Sequence, residues 1–441
     1  MKLFYSLIIL IILQNCSFDN KTGIWKNKNV VSKKDTNIFK DFKKLSIDDK
    51  LFDQEIPFNN QFNFDLEKPS NNFNWKDIFF NPKNNFKNFK YNDTNNIIFK
   101  SKKLSKYIVN DYLLFENNNL IISDQKGNLI VFSINQNKII SKFNFYKKKY
   151  KKKIKYLNLI IENNIIYVSD NIGYLYAFDY KNNKILWAKN YKIPFRSNMK
   201  IFENKLITSN QNNNLYFFNK TNGNLLKLIP TEETIIKNKF VNNLSLNNES
   251  LFFLNTYGSL YSINNDTMRI NWFINLNQSV DLNPSNLFLG NKIVINSNKI
   301  FVSSNKYTYI IDAKNGSILN KKNYSSQLIP VVNSGINFLI TTNDLIISTN
   351  INNGDILYSY NINKKISEFL NVEKKEAKFK NIIILNTKIY IFLQNSYILK
   401  LNMNGTLEEI KRLPSQLNTN PIIIDNSLLY LNKKNKLVIV N

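Results

Sequence analysis

The stretch DNIGYLYAFDYKNNKILWAK, residues 170–189, joins a turn signal to an alternating apolar run, then to a polar turn and a second alternating run around Trp187. Alternation sends successive side chains to opposite faces of an extended chain, so each run reads as a strand. Between the runs lies Asp-x-x-Asn-Asn. Asn tolerates the positive φ of a tight turn, and Asp and Asn side chains bond their own backbone, so the two strands close as a hairpin.

The phrase recurs along the chain. QKGNLIVFSINQNKII begins at Gln125, QNNNLYFFNKTNGNLL at Gln211 and TYGSLYSINNDTMRINW at Thr256. NKYTYIIDAKNGSIL begins at Asn305, TNDLIISTNINNGDIL at Thr342, QNSYILKLNMNGTLEEI at Gln394 and NKKNKLVIVN at Asn432. The first run of each copy ends at Ser133, Asp179, Asn219, Asn264, Asp312, Asn350, Asn402 and Asn441. A spacing of about 44 residues, with room for four short strands per copy, is the period of a β-propeller. One copy cannot bury both of its faces, so copies must stack.

The expected fold is therefore all-β: an eight-bladed β-propeller of four-stranded antiparallel blades. The last copy stops at Asn441 without an outer strand. NFNWKDIFF, residues 72–80, carries the alternation and a Trp. It is expected to supply the outer strand of the last blade, closing the ring with an N-terminal strand and covering an exposed edge.

Composition narrows the chemistry. The 441 residues include no His and one Cys, Cys16, so an intramolecular disulfide, a Cys-based zinc site and a Ser–His–Asp triad have no residues to build them. Carboxylate chemistry and Ca²⁺ binding stay open. Asp170, Asp179, Asp312 and Asp344 fall at turns of the repeat and read as turn residues rather than metal ligands, so no metal or cofactor is expected. The net charge of +28 is spread over loops and strands alike, which fits a solvated basic surface better than a nucleic-acid stripe. YKKKYKKKIKY, residues 146–156, is the one concentrated basic run; it reads as a solvated connection, or as a patch for anionic headgroups or an acidic partner.

The N-terminus reads as an address. Lys2 precedes an apolar run from Leu3 to Leu13, too short to span a bilayer comfortably and suited to a secretory signal. The boundaries expected are a signal over residues 1–15, a tether over 16–72 and the propeller over 73–441. Leu-Gln-Asn-Cys, residues 13–16, resembles a bacterial lipobox, which implies acylation of Cys16. The alternative is an ordinary signal followed by a chance Cys. Ser17 after the Cys points, by the same resemblance, to the outer membrane.

The repeated phrase resembles the quinoprotein-type propeller repeat. Two families share it: quinoprotein alcohol dehydrogenases, with pyrroloquinoline quinone and Ca²⁺ in the ring axis, and the BamB family of outer-membrane assembly lipoproteins. The lipobox, the size and the absence of the dehydrogenases' adjacent Cys pair make this chain resemble the second. That resemblance implies a non-catalytic scaffold on the periplasmic face of the outer membrane, bound to the POTRA domains of the barrel-inserting subunit. YKIPFRSNMKIF, residues 191–202, resembles the family's contact segment and implies partner contacts by Phe195, Arg196 and Ile193. The acidic residues that the family places in the loop entering the following blade are missing from NKFVNNLSLNN, residues 238–248. A quinone-dependent dehydrogenase and a periplasmic glycan-binding propeller remain the alternatives.

Overall fold

The computed structural model describes residues 16–18, 25–27, 51–59, 62–146, 150–233, 241–277, 288, 290, 292–304, 306–373 and 376–441. The chain divides into two units, residues 1–50 and 51–441. In the first, Cys16–Phe18 pairs antiparallel with Trp25–Asn27. The signal expected over residues 1–15 lies outside the described residues.

The second unit is an eight-bladed propeller of antiparallel sheets, as the repeat implies. Blade 2 shows the plan: Leu157–Glu162 innermost, then Ile165–Asp170, Tyr174–Asp179 and, outermost, Lys184–Asn190. The first two strands turn at Asn163 and Asn164, with φ of 52° and 67°. Asn117–Asn118 in blade 1 and Asp425–Asn426 in blade 8 do the same. Both central residues of this turn need positive φ, which Asn and Asp accept at low cost. Asp170 Oδ1 accepts from the backbone N–H of Ile172, Gly173 and Tyr174, and Asp179 Oδ1 from those of Lys181 and Asn182. Asp312 likewise accepts from Lys314 and Asn315, so these carboxylates do build turns.

The ladder between third and outer strands shifts register at a corresponding point in every blade, from Val131/Phe132 in the first to Ile439/Val440 in the last. Such a bulge adds twist and bends the outer strand. The repeat's Trp exploits that bend. Trp187 leaves blade 2 and donates its indole N–H to the Lys220 carbonyl of blade 3, 2.9 Å away. Its ring lies over Gly223, where an added Cβ would stand 2.5 Å from the ring. Trp272 of blade 4 sits in the same way over Gly316 of blade 5. The phrase is thus a blade-to-blade link, as its recurrence suggested.

Closure differs from the expectation in one respect. An N-terminal strand does complete blade 8, but it is Ile97–Lys103, paired with Lys436–Val440, and not residues 72–80. The burial pattern gives the reason. Ile97–Lys103 is exposed along most of its length, as an outer strand must be. Trp75, Asp77, Ile78 and Phe79 are all buried. Consecutive bulky apolar residues cannot alternate between core and water, and the ring axis can bury them all.

Residues 51–59 lie along blade 6, where Ile56 forms an antiparallel bridge with Ser359 of the outer strand. A nine-residue helix, Ile362–Leu370, joins blades 6 and 7, with Asn361 capping its start and Asn371, in the left-handed region, its end. Among the described residues no helix is long and apolar enough to cross a membrane.

Candidate functional site

A propeller has two faces. The turn face carries the hairpin turns between first and second strands. The connection face carries the loops that join each outer strand to the next inner strand. Between them runs the axis, where propellers commonly hold their ligands.

Here the chain itself occupies the axis. Residues 72–89 bond to the innermost strand of each blade in turn. Asn72 meets blade 8, donating to the Ile423 carbonyl at 2.7 Å. Trp75 and Phe115 of blade 1 exchange backbone bonds of 2.8 Å, and Ile161 of blade 2 donates to the Lys76 carbonyl at 3.0 Å. Lys200 of blade 3 bonds Asp77 at 2.6 Å. Leu246 of blade 4 donates to Pro82, and Ile295 of blade 5 to Lys83. Asn85 donates to the Val332 carbonyl of blade 6 at 2.8 Å. Asn88–Phe89 then adds a short parallel strand to blade 7. Eighteen residues complete one lap of the ring, and we call them the axial plug.

The plug's anchor is a buried ion pair. Lys200 and Asp77 are both removed from water. The ammonium also donates to Asn84 Oδ1 at 2.6 Å and to the Asn81 carbonyl, while Asp77 Oδ1 accepts from the Phe79 N–H. Burial pushes the Lys200 pKa down, and Asp77 offsets part of that shift. All three lysine protons thus find acceptors, which is the condition under which a buried charge is tolerated. Sequence reasoning missed this pair. Its one local signal is Lys200 itself, a charge standing at the head of an inner strand, Lys200–Phe202.

Above the plug the axis narrows to a pit of about 150 Å³. Trp75, Ile78, Phe79 and Phe86 form its floor. Lys292, Gln327, Lys380, Asn381 and Asn420 stand on its wall, and these precede or begin inner strands, so the pit opens on the connection face. Burial holds the Lys292 pKa down to about 8. Asp111 answers Lys380 at 3.4 Å. A planar three-ring quinone with Ca²⁺ does not fit this arrangement. The floor is packed, the pit holds only about 150 Å³, and among the described residues no three Cys, Asp or Glu gather as metal ligands.

The segment expected to bind a partner lies on the connection face between blades 2 and 3. It is stitched down on both sides: Phe195 N–H to Asp170 O, Arg196 N–H to Ser209 O, and Gln211 N–H to Pro194 O, all within 3.0 Å. Asn242, from the loop entering blade 4, donates to the Arg196 carbonyl at 2.9 Å. The fit is close enough that a Cβ on Gly173 would stand 2.9 Å from Ile193 backbone atoms. Phe195 is 1% exposed and packs among Tyr191, Tyr216 and the core of blade 3, so it secures the loop from beneath. Ile193 and Arg196 are half-buried at the surface. The Arg196 Nη1 is buried with no hydrogen-bond partner among the described residues, and desolvation lowers the pKa of the guanidinium. The same connection face carries Glu232 just before the stretch that lacks acids; it accepts from Asn255, Ser259 and Tyr261 of blade 4.

Fold and site together define an eight-bladed β-propeller whose axis is closed by its own chain. Residues 159–360 match a family model described as outer membrane protein assembly factor BamB. No curated protein matches the chain by sequence. Among solved structures, BamB from Moraxella catarrhalis is similar at 12% identity and a TM-score of 0.60, over 77% of this chain and 99% of that one. Quinohemoprotein alcohol dehydrogenase from Comamonas testosteroni is similar at 8% identity and a TM-score of 0.61, over 83% and 80% of the two chains. A europium-containing methanol dehydrogenase aligns at 10% identity and a TM-score of 0.60, over 83% and 89%. At these identities the structures speak for the fold: the chain is a propeller similar to both BamB and the quinoprotein dehydrogenases.

Proposed function

We propose that this chain is a non-catalytic lipoprotein scaffold of the outer-membrane β-barrel assembly machinery. Acylated Cys16 anchors it to the periplasmic face of the outer membrane after residues 1–15 are removed, and the stretch between Cys16 and the propeller serves as the tether. The propeller binds the barrel-inserting subunit through its POTRA domains and assists folding and insertion of outer-membrane proteins. The observation that carries this reading is the axial plug, which occupies the place a quinone cofactor would need. The family match over residues 159–360 supports it.

Ile193 and Arg196 are the proposed contacts, with Phe195 holding the loop in place. A half-buried guanidinium on a stiff loop suits a carboxylate of the partner, and breaking a charge-assisted interface contact typically costs about 2–5 kcal/mol. Arg196→Glu is expected to reduce co-purification with the barrel-inserting subunit by about tenfold or more, by the same arithmetic, with the melting temperature little changed. Unchanged co-purification would place the interface elsewhere on the ring. The second reading, a quinone-dependent dehydrogenase, is supported by the likeness to dehydrogenase structures. Dye reduction by the purified chain on adding pyrroloquinoline quinone, Ca²⁺ and a common alcohol would overturn the scaffold reading.

A further inference from the structure

Two neighbouring segments of the connection face combine exposed lysines with exposed Tyr and Ile. One precedes the inner strand of blade 1 and presents Lys106, Tyr107 and Ile108. The other precedes that of blade 2 and presents Lys151, Lys152, Lys153, Ile154 and Tyr156. The apolar members project far into water: Tyr107 is 46% exposed, Ile108 65%, Ile154 53% and Tyr156 56%. Soluble surfaces do expose single apolar side chains, but four gathered on adjacent loops mark a contact.

Backbone bonds fix the two segments as one ridge. Gln125 donates to the Ile108 carbonyl at 2.9 Å, and Lys155 donates to the Gln125 carbonyl at 3.0 Å. Asn171 donates to the Tyr156 carbonyl at 3.3 Å and, through its side chain, to that of Ile154 at 3.0 Å. The ridge encloses a cleft lined by Tyr107, Lys126, Asn144, Tyr146, Lys151 and Lys155. The Lys155 side chain is 1% exposed, and its ammonium lies 5.1 Å over the Tyr146 ring. Asp111, three residues beyond Ile108, is exposed and faces Lys380 at 3.4 Å, while the carboxylates of the two turns flanking the cleft point inward. Asp124 and Asp170 are fully buried, the first bonded to Ser105 and Asn128, the second to Tyr146. The outer surface of the two segments, Lys106–Ile108 and Lys151–Tyr156, therefore carries lysines and no carboxylate of its own. Burial and the Lys126 charge both lower the Lys155 pKa, a shift that an anion in the cleft would reverse.

We infer that this ridge is a membrane-contact surface, docking the connection face of blades 1 and 2 on an anionic phospholipid bilayer. Ile108, Ile154, Tyr107 and Tyr156 enter the headgroup boundary. Lys126, Lys151 and Lys152 meet lipid phosphates, and Lys155 closes the cleft from beneath. Amphipathic Tyr and long lysine stems suit this boundary, because each presents an apolar body with a polar end. An acidic protein surface would satisfy the charges, but not the bare aliphatic side chains set between them. The inference does not depend on a lipid anchor, since the ridge lies in the folded propeller.

The test is co-sedimentation of the full chain carrying Cys16→Ser, which removes any acyl group, with phosphatidylcholine liposomes with or without phosphatidylglycerol. Binding should require phosphatidylglycerol and weaken with salt. Each basic residue near an anionic surface contributes about 1 kcal/mol, so Lys126→Glu, Lys151→Glu and Lys152→Glu together should lower partitioning by roughly a hundredfold. The same number of reversals on the turn face, at Lys181, Lys184 and Lys314, should change it far less. Ile108→Ser with Ile154→Ser should weaken binding even at low salt, with an unaltered circular dichroism spectrum. Equal partitioning with and without phosphatidylglycerol overturns the inference. Equal loss from the two triple variants overturns it too, because the diffuse net charge would then be enough. Binding to polyglutamate with none to phosphatidylglycerol liposomes would assign the ridge to an acidic protein instead.

Discussion

Asp77 and Lys200 are separated by 123 residues in the chain, yet each balances the other's charge in a place without water. Removing one partner of a buried pair leaves an uncompensated charge and typically costs about 3–5 kcal/mol. Asp77→Ala should lower stability by about that amount in chemical denaturation. Adding Lys200→Met to it should recover much of the loss, because the orphaned ammonium goes too. A double variant no more stable than Asp77→Ala would mean that the pair is incidental to holding the plug. Phe195 teaches a related point. In the loop Pro194-Phe195-Arg196-Ser197 it looks available to a partner, and nothing local reveals that its ring packs against Tyr191 and Tyr216. A residue's type was legible; the direction of its side chain depends on neighbours far along the chain.

Strands and turns are where the sequence spoke most clearly, because their causes are local. Alternation, Asn-rich turns and the Asp that caps them lie within a few residues of each other; six of the eight strand ends fall where the copies put them, and the other two, Leu401 and Val440, fall one residue short. The strand that completes blade 8, Ile97–Lys103, is not legible locally for the opposite reason. Alternation and a Trp occur in residues 72–80, but the choice between two candidate strands rests on pairing with residues over 330 positions away. In the structure that pairing has a specific lock. Ser101, buried at the bulge of Ile97–Lys103, accepts a hydrogen bond of 2.9 Å from the Leu437 N–H. Ser101→Ala strands a buried donor and should cost roughly 1–3 kcal/mol, with faster amide exchange at Leu437. Lys102→Ala, exposed on the same strand, should cost almost nothing. If the two substitutions are equivalent, Ile97–Lys103 is not what closes the ring.

The molecule as a whole is a ring held shut from inside and outside by one stretch of chain. Between the plug and Ile97–Lys103 the chain crosses the turn face, and Asp93 fastens that crossing to blade 7. Its carboxylate accepts from Tyr390, Lys400 and Lys411 at 2.8, 2.7 and 3.0 Å. Burial pushes the Asp93 pKa up, but these three bonds together outweigh it and hold the group below the usual aspartate range. A depressed carboxylate stabilises the fold above its unfolded pKa, about 3.9, and that contribution disappears as pH falls through the lower folded value. Asp93→Asn should therefore be less stable than the native chain near neutrality, and the gap should close as the solution is acidified below about pH 4. A gap that stays constant down to strongly acid solution would rule out this role.

The lap around the axis also sets an order of events in folding, wherever the chain emerges N-terminus first. Residues 72–89 emerge before any blade exists, while their last partners, around Ile423 and Asp425, come more than 330 residues later. Blades 1 to 7 can each pair from contiguous chain as it emerges, but the stretch from Trp75 to Phe89 has no complete home until the eighth arrives. Such distant pairing is slow, and an aromatic segment waiting in water is prone to wrong partners. The plug is thus among the first parts of the ring to emerge and the last that can settle, and the unfinished fold carries its own future core exposed until the ring closes.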